Sequence, residues 1–425
     1  MREELYIGIN DSSVKKAPFK TLTILLLGTI ILSCNSETPT PPTEEDVIAY
    51  LNNNQQQISL DLAANTNEFS AFDDHFEGKE MILLGENHAT QYNEVIDTKF
   101  FQYLYHRHGV RVYLGETSIG MGYFINSYIN SGFDGTLQYI MANYSGSFSE
   151  TLHNRARLVR LKDFNLSLPE NDRITYVGID VEHQVTIGFR VFKMLIPKPS
   201  IDAPHPNDIA DLIQEMYNTR YTSYLEVINA APYFHEKLTS SQFKNSFQAY
   251  FPEYERMVRI LAGIVTKVEL ENDPLTFDTK REQHIAQNLA FVRSTFGNVK
   301  MYGKWGASHI WKRQLSDNYK TFVQEAIANA TINIEQVASI PIFYHNSYYA
   351  DKDDDFNPRP ITFSVSPNMM NANKESPVVL FDLNEQGSPF KDFMMLVNGT
   401  TGSTTSYFDM AFRFSGSQAS KPYAP

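Results

Sequence analysis

The sequence predicts an α/β fold: a central, mostly parallel mixed sheet flanked by helices, with a helical insertion and a β-rich C-terminal part. One observation is a set of four apolar runs that stop at glycine or polar residues, as buried parallel strands do. The runs cover 81–84, 110–114, 174–177 and 299–302. Another is a helix predicted over 93–108 and closed by Gly109, which joins the first two runs as a β-α-β unit.

The remaining segments differ in pattern. We predict a signal peptide at 1–33, a linker at 34–44, the two halves of one α/β domain at 45–196 and 278–425, and a helical insertion at 197–277. Helices are also predicted at 45–60, 149–165 and 278–296, and C-terminal strands at 340–344, 361–365, 377–381 and 393–397.

Composition, net charge and the absence of several motifs argue against some classes of protein. The 425 residues are 42% hydrophobic, which provides ample core, and the net charge of −13 argues against nucleic acid as a partner. The sequence has no GxSxG, HExxH, Walker or GxGxxG motif, so a serine hydrolase of the α/β-hydrolase type, a zincin and a nucleotide-binding protein are disfavoured.

The N-terminus resembles a bacterial lipoprotein signal peptide. Three lysines precede a short apolar segment, 21–32, and Cys34 follows it as the single cysteine of the chain. We expect Cys34 to be lipidated and to tether the protein to a membrane of the cell envelope. Because Asn35 is not the aspartate expected for inner-membrane retention, the outer membrane of a Gram-negative bacterium is the predicted location.

Polar side chains follow each of the four runs, where the carboxyl ends of parallel strands share one edge. They include Glu86, His88, Glu116, Asp180 and His309, and the first and last runs share a Gly-x-x-His frame. A carboxylate two residues from an imidazole raises its basicity and fixes its tautomer. His88 is therefore interpreted as a general base or a metal ligand, with a structural loop histidine as the alternative.

The motifs resemble, in order, those of the erythromycin esterase-like family, within a wider group that includes Tiki/TraB proteins and haem-binding uptake lipoproteins. The resemblance covers roughly 80–315. It rests on these stretches, quoted as they stand: LGENH (84–88), GE (115–116), VGID (177–180), REQHIAQN (281–288) and WGASH (305–309).

The resemblance implies hydrolysis of an ester or lactone by activated water, without a covalent serine intermediate and without a cofactor. It implies that His88 is the general base, that Glu86 and Glu116 line and orient the cleft, and that Arg281 and His309 complete the catalytic set. We expect the substrate to contact Asp180, Arg160 and His284.

Two alternatives remain open. The Gly-Glu-x-His spacing is closer to the haem-uptake and Tiki-type branch, and esterases of this family are typically cytoplasmic. The chain could therefore be a metal-dependent hydrolase or peptidase, with Zn or Mn held by Glu86, His88, Glu116 and His309. It could also be a surface lipoprotein that binds haem or another ligand without catalysis.

Overall fold

An eight-stranded sheet forms the centre of the fold. The computed structural model describes residues 40–64, 66–198, 207–273, 276–314, 319–362, 367–396 and 401–424; the predicted signal peptide and Cys34 lie outside them. The strands in chain order are β1 (Gln55–Gln57), β2 (Met81–Glu86), β3 (Val110–Ser118), β4 (Thr175–Asp180), β5 (Lys300–Gly306), β6 (Val337–His345), β7 (Tyr348–Asp351), β8 (Asn357–Pro360), β9 (Val378–Asp382) and β10 (Met410–Ser415).

The sheet has the order β1-β9-β10-β6-β2-β5-β3-β4, and β7 pairs with β8 in a separate hairpin. Neighbouring strands from β10 to β4 are parallel, whereas β9 runs antiparallel to both β10 and β1. This arrangement confirms the predicted α/β class with a mostly parallel, mixed sheet.

Helices cover both faces of this sheet. They are α1 (Glu44–Asn53), α2 (Asp73–Phe76), α3 (Gln91–His108), α4 (Ile119–Ser131), α5 (Asp134–Asn143), α6 (Leu152–Ser167), α7 (Val185–Leu195), α8 (Asn207–Asn218), α9 (Tyr224–Thr239), α10 (Ser241–Tyr250), α11 (Tyr254–Asn272), α12 (Phe277–Phe296), α13 (Phe322–Ala328) and α14 (Pro367–Asn371). As predicted, Gly109 closes α3 in a left-handed conformation.

Strand alternation assigns side chains to the two faces of the sheet. Ile82 and Leu84 of β2 belong to the apolar cluster shared with α3–α6, whereas Met81 and Leu83 belong to the cluster shared with α12 and α13. Because Glu86 continues the first series, it leaves β2 on the α3 side. Strand β2 is buried throughout, which explains its nearly continuous apolar sequence.

Helices α8–α11 lie between β4 and β5 in the chain. Together with α7 they form an apolar cluster of their own, centred on residues such as Phe189, Phe234 and Leu261. In the part of the chain that the structure describes, no helix is both long enough and apolar enough to cross a membrane.

The predicted C-terminal strand at 393–397 is wrong over the residues that the structure describes. Residues 393–396 are not extended in a sheet; Leu396 is buried in an apolar cluster with Phe390, and Thr404 donates hydrogen bonds to the carbonyl of Phe393. Of the predicted strand 361–365, Ile361 and Thr362 follow the end of β8, and the rest lies outside the described residues.

Two strands of the sheet were not predicted. Strand β10 was missed, and β1 lies within the predicted helix 45–60. An apolar run indicates burial and does not by itself distinguish a strand from a packed loop.

Candidate active site

The predicted polar residues meet at the carboxyl edge of the parallel strands. In the register, Glu86 of β2 lies beside Gly306 of β5. The pairing of β3 with β4 shifts by one residue between Gly115 and Ser118, so β3 carries an extra residue there. Such a bulge redirects the side chains of the bulged strand, and here it lies at Glu116. The edge therefore gathers Glu86, Glu116 and, at the end of β4, Asp180.

His88 is held by Glu86, and Glu86 is held by Lys304. The Oε1 atom of Glu86 lies 2.8 Å from Nδ1 of His88, and its Oε2 atom accepts from Nζ of Lys304 at 2.5 Å. Burial raises the pKa of Glu86, but the Lys304 charge and the His88 hydrogen bond outweigh it and lower this pKa to about 2. An ionised Glu86 accepts a hydrogen bond from Nδ1–H of His88. In that tautomer the lone pair of Nε2 is free.

The Nε2 atom of His88 points toward Glu116, 3.8 Å from Oε2. Burial lowers the pKa of His88, but the charge of Glu116 and the hydrogen bond and charge of Glu86 outweigh it and raise this pKa. The ring stacks on Phe148 with centroids 5.6 Å apart, and 35% of the side chain is exposed. His88 is thus a basic group that water and substrate can reach.

The backbone after His88 is strained. Ala89 has a φ of 57°, in the left-handed region that residues other than glycine seldom adopt. Its carbonyl accepts hydrogen bonds from the backbone amides of Ala350 and Ser420. Strain of this kind persists where surrounding contacts impose it, and it is concentrated at functional sites. The C-terminal part of the chain therefore helps to fix the turn that presents His88.

Arg281 links the other carboxylates. Its Nε and Nη2 atoms donate to the two oxygens of Asp180 at 2.9 and 2.5 Å, and Nη2 also donates to Oε1 of Glu116 at 3.1 Å. Burial raises the pKa of Asp180, but the Arg281 charge outweighs it and holds this pKa well below its usual range. The pKa of Glu116 is also lowered, because the charges of His88, His309 and Arg281 outweigh its burial.

His309 lies on the far side of this cluster. Its Nε2 atom is 3.2 Å from Nη1 of Arg281 and 3.4 Å from Oε1 of Glu116, and its Nδ1 atom contacts Glu282. A neutral His309 accepts from Arg281, whereas a protonated one donates to Glu116. Burial lowers the pKa of His309, but the Glu282 hydrogen bond and the Glu116 charge outweigh it and raise this pKa.

The glycines of the two Gly-x-x-His frames lie in confined space. A Cβ atom on Gly85 would lie 2.5 Å from the side chain of Ile310, and one on Gly306 would lie 3.3 Å from both His88 Nε2 and His309 Cδ2. The amide of Gly306 also donates to Oε2 of Glu116 at 2.6 Å. Gly306 therefore keeps open the space between the two imidazoles.

These residues border a cavity of about 340 Å³. Of the predicted site residues, the cavity is lined by Glu86, His88, Glu116, Asp180 and Arg281. Its inner part reaches Lys304, Arg157 and the aromatic residues Tyr113 and Tyr176, which stack at 5.0 Å. The mouth includes Phe148 and Lys352, whose ammonium lies over the Phe148 ring, 5.4 Å from its centroid.

Two of the residues predicted to contact substrate do not line this cavity. Arg160 donates to Thr98 Oγ1 and to the carbonyl of Glu94 on α3. His284 is 4% exposed, and burial lowers its pKa to about 4. The helical spacing of Arg281 and His284 placed them on one face of α12, but the guanidinium reaches the sheet edge and the imidazole is enclosed against α11, near Thr266.

Lys304 and Glu282 were not singled out from the sequence. Lys304 is buried, and its Nζ atom also lies 3.1 Å from Oε1 of Glu94. It stands two residues after Tyr302, on the face of β5 that points toward α3, and a lysine at an inward position of a buried strand is a signal for a partner carboxylate. Glu282 is adjacent to Arg281, and no feature of spacing connects it with His309, 27 residues later.

The four predicted metal ligands are not grouped around one point in this conformation of the described residues. The guanidinium of Arg281 contacts both Glu116 and His309, so a fixed positive charge occupies the position from which a cation would have to bind them. The Nδ1 atoms of His88 and His309 contact Glu86 and Glu282, so only Nε2 of each ring remains for an ion. Among the described residues, these four are not a group whose ligand atoms lie within 4.8 Å of one another.

Comparison with known proteins finds similarity in structure. No family model and no curated protein matches the sequence. A Bacillus cereus protein superposes with a TM-score of 0.66 at 13% identity, over 90% of this chain and 100% of its own. A succinoglycan biosynthesis protein has a TM-score of 0.66 at 15% identity, over 89% of this chain and 98% of its own.

The third structure is a mutant of the erythromycin esterase EreC in its open conformation. Its TM-score is 0.57 at 13% identity, over 87% of this chain and 98% of its own. This chain has the erythromycin esterase fold. The predicted resemblance is thereby confirmed for the fold, which by itself does not assign an activity.

Proposed function

We propose that this protein hydrolyses an ester or lactone with a water molecule activated by His88. The observation that carries the proposal is the position of His88 between two carboxylates: Glu86 binds Nδ1, and Nε2 faces Glu116 across 3.8 Å. A general base must have a free lone pair, a fixed tautomer and access to water. His88 meets all three conditions.

In the proposed step, Nε2 of His88 removes a proton from water as the water oxygen attacks the carbonyl carbon of the ester. The resulting tetrahedral oxyanion collapses and breaks the bond to the leaving oxygen. That oxygen takes the proton from the His88 imidazolium, and the products are a carboxylic acid and an alcohol. No oxidant, reductant or covalent enzyme intermediate is needed.

Arg281 is the group best placed to stabilise the oxyanion. It lines the cavity, and its bonds to both oxygens of Asp180 fix the guanidinium before substrate arrives. A preorganised positive charge stabilises developing negative charge more effectively than one that must reorient. His309 positions Arg281 through the contact with Nη1, and Glu282 in turn holds His309.

The cavity supports a substrate whose ester-bearing part is compact and polar. Its volume of about 340 Å³ is at the small end of the range for small-molecule sites. Around His88 it presents Phe148, which offers an apolar face, whereas its inner end presents the charged groups of Lys304 and Arg157. A larger substrate would extend from the mouth toward Lys352.

The test is a panel of esters and lactones given to the chelator-treated protein in water enriched in ¹⁸O. The proposal predicts acid and alcohol products, with one ¹⁸O atom in the acid and none in the alcohol. Turnover that is lost on chelation while the protein remains folded, and is restored by metal, would contradict it. A panel in which no ester or lactone is cleaved above the rate without protein would also contradict it.

We further propose that Cys34 carries a lipid that tethers the catalytic part to the cell envelope, on the basis of the sequence around it. The test is metabolic labelling with a fatty acid and fractionation of membranes. Label in the membrane fraction of the wild type and none in Cys34→Ala is expected. Equal labelling of both proteins would contradict the proposal.

A further inference from the structure

A second cluster of side chains that can bind a metal ion lies at a different edge of the sheet from His88. It contains His75 of α2, Asp382 at the end of β9, and Glu385 just beyond it, and one ligand atom of each lies within 4.8 Å of the others. Asp409, which precedes β10, and Lys79, which precedes β2, lie near it. The cluster is thus at the amino-terminal edge of the parallel strands, opposite the edge that carries His88.

The three side chains have few competing partners. The Nε2 atom of His75 lies 2.5 Å from Oδ2 of Asp382, while Oδ1 of Asp382 accepts from the amide of Asn384. Within the described part of the chain, neither Asp382 nor Glu385 has an ion pair with lysine or arginine. The nearby lysines, Lys79 and Lys312, are both paired with Asp409. With a neutral imidazole, Asp382 and Glu385 therefore carry two negative charges that no lysine or arginine pairs with directly among the described residues.

The surroundings leave room to complete a coordination sphere. His75 and Asn384 border an open cavity of about 510 Å³. It is lined by four carboxylates, Asp74, Glu77, Glu335 and Asp409, and by three cations, Lys79, Lys312 and Arg313. The carboxylates outnumber the cations by one, so the lining does not repel a metal ion. Asp382 is nearly buried and Glu385 is exposed, so one ligand is fixed by the sheet and another can adjust to an ion from solvent.

We propose that His75, Asp382 and Glu385 bind one divalent transition-metal ion, with water completing its coordination. One imidazole nitrogen with two carboxylates suits Zn²⁺ or Mn²⁺, whereas Ca²⁺ and Mg²⁺ prefer sites made of oxygen alone. The ion would join α2 to the end of β9 and take no part in the chemistry at His88. Its role would be to stabilise the folded state, since it binds the three ligands only when they are brought together.

The experiment is calorimetric titration of the full chain with Zn²⁺ after chelator treatment, beside a thermal melt with and without the ion. The wild type and His88→Ala are expected to bind one Zn²⁺ per chain and to melt at a higher temperature when it is present. Glu385→Gln and His75→Ala are expected to weaken binding at least tenfold and to lose the increase in melting temperature. Glu385 is exposed, so its variant tests the site without disturbing the core.

Glu335→Gln is the matched control, because Glu335 borders the same cavity but is not one of the three ligands. It is expected to bind Zn²⁺ as the wild type does. The proposal is overturned if the wild type binds no Zn²⁺, if Glu385→Gln and His75→Ala bind it with unchanged affinity, or if Glu335→Gln weakens binding as much as they do. These outcomes are independent of ester hydrolysis.

Discussion

The Nε2 atom of His88 lies 3.8 Å from Oε2 of Glu116, although β5 separates β2, which precedes His88, from β3, which contains Glu116. The two side chains can approach because β5 ends in Gly306, which has no side chain to fill the space between them. The amide of Gly306 donates to the same Glu116 oxygen. His88 and Glu116 thus approach each other across the end of a strand whose last residue has no side chain.

Gly306→Ala is expected to reduce turnover more than stability. The added methyl would lie 3.3 Å from Nε2 of His88, where the attacking water must sit, while the φ of −52° suits alanine. Gly85→Ala is the comparison, since its methyl would overlap Ile310 in the core and is expected to cost about 1–3 kcal/mol of stability. Urea unfolding and ester turnover distinguish the two effects. Wild-type turnover in Gly306→Ala would contradict this role of the glycine.

Glu86→Gln is expected to shift the acid limb of the pH–rate profile to lower pH. The base is active when neutral, so activity rises with pH through the His88 pKa, which Glu86 raises. An amide also no longer fixes the tautomer, and the plateau is expected to fall roughly 10²- to 10⁴-fold. The profile of kcat/KM against pH provides the measurement. A limb that moves to higher pH would be inconsistent with the proposed pairing.

Lys304→Met is expected to destabilise the fold by about 3–5 kcal/mol, because it leaves Glu86 buried without a lysine or arginine partner, whereas Glu94 keeps Arg157. In the wild type, the low pKa of Glu86 contributes stability that is present above about pH 4.5 and is lost toward pH 2. Without Lys304, the pKa of Glu86 is higher than in the wild type, because burial is opposed by one charge fewer. The difference in unfolding free energy between wild type and variant is therefore expected to shrink as pH falls. Lys352→Met, at the exposed mouth, is the control, and equal unfolding free energies for both variants would refute the prediction.

Arg281→Lys is expected to lower kcat by roughly 10²–10³ while the chain stays folded. Lysine keeps the charge but cannot bind both oxygens of Asp180 and reach Glu116 and His309 at the same time. Arg160→Lys is the control, because Arg160 contacts α3 outside the cavity. The measurement is kcat on an ester that the panel identifies. If both variants lose activity to the same extent, Arg281 has no special role in the chemistry.

Strands β2 to β5 could be predicted from the sequence, because each contains an apolar run that is followed by polar residues at the carboxyl edge of the sheet. Parallel strands place those ends together, so the proximity of Glu86, Glu116 and Asp180 followed from the fold class. Alternation could also have identified Lys304, since it continues the series of Tyr302 into the interior. The overall α/β class and most of the helices were predictable for the same reason.

Other features depend on contacts that no local pattern encodes. The partnership of His309 with Glu282 requires α12 to pass over the end of β5, and the enclosure of His284 depends on how α11 packs against α12. Likewise, the apolar residues around Leu396 are buried in a loop, where their hydrophobicity resembles that of a strand. The environments of His309, His284 and Leu396 are determined by tertiary packing, which a local sequence pattern does not show.

His88→Ala is the decisive variant, because the proposed mechanism uses His88 as the general base. Its kcat/KM on an ester is expected to fall by roughly 10²- to 10⁴-fold, with unchanged circular dichroism. His106→Ala, which changes an exposed histidine on α3, is expected to keep wild-type activity. Both proteins are measured after chelator treatment over the same pH range. If His88→Ala hydrolyses the ester as fast as His106→Ala, His88 is not the general base.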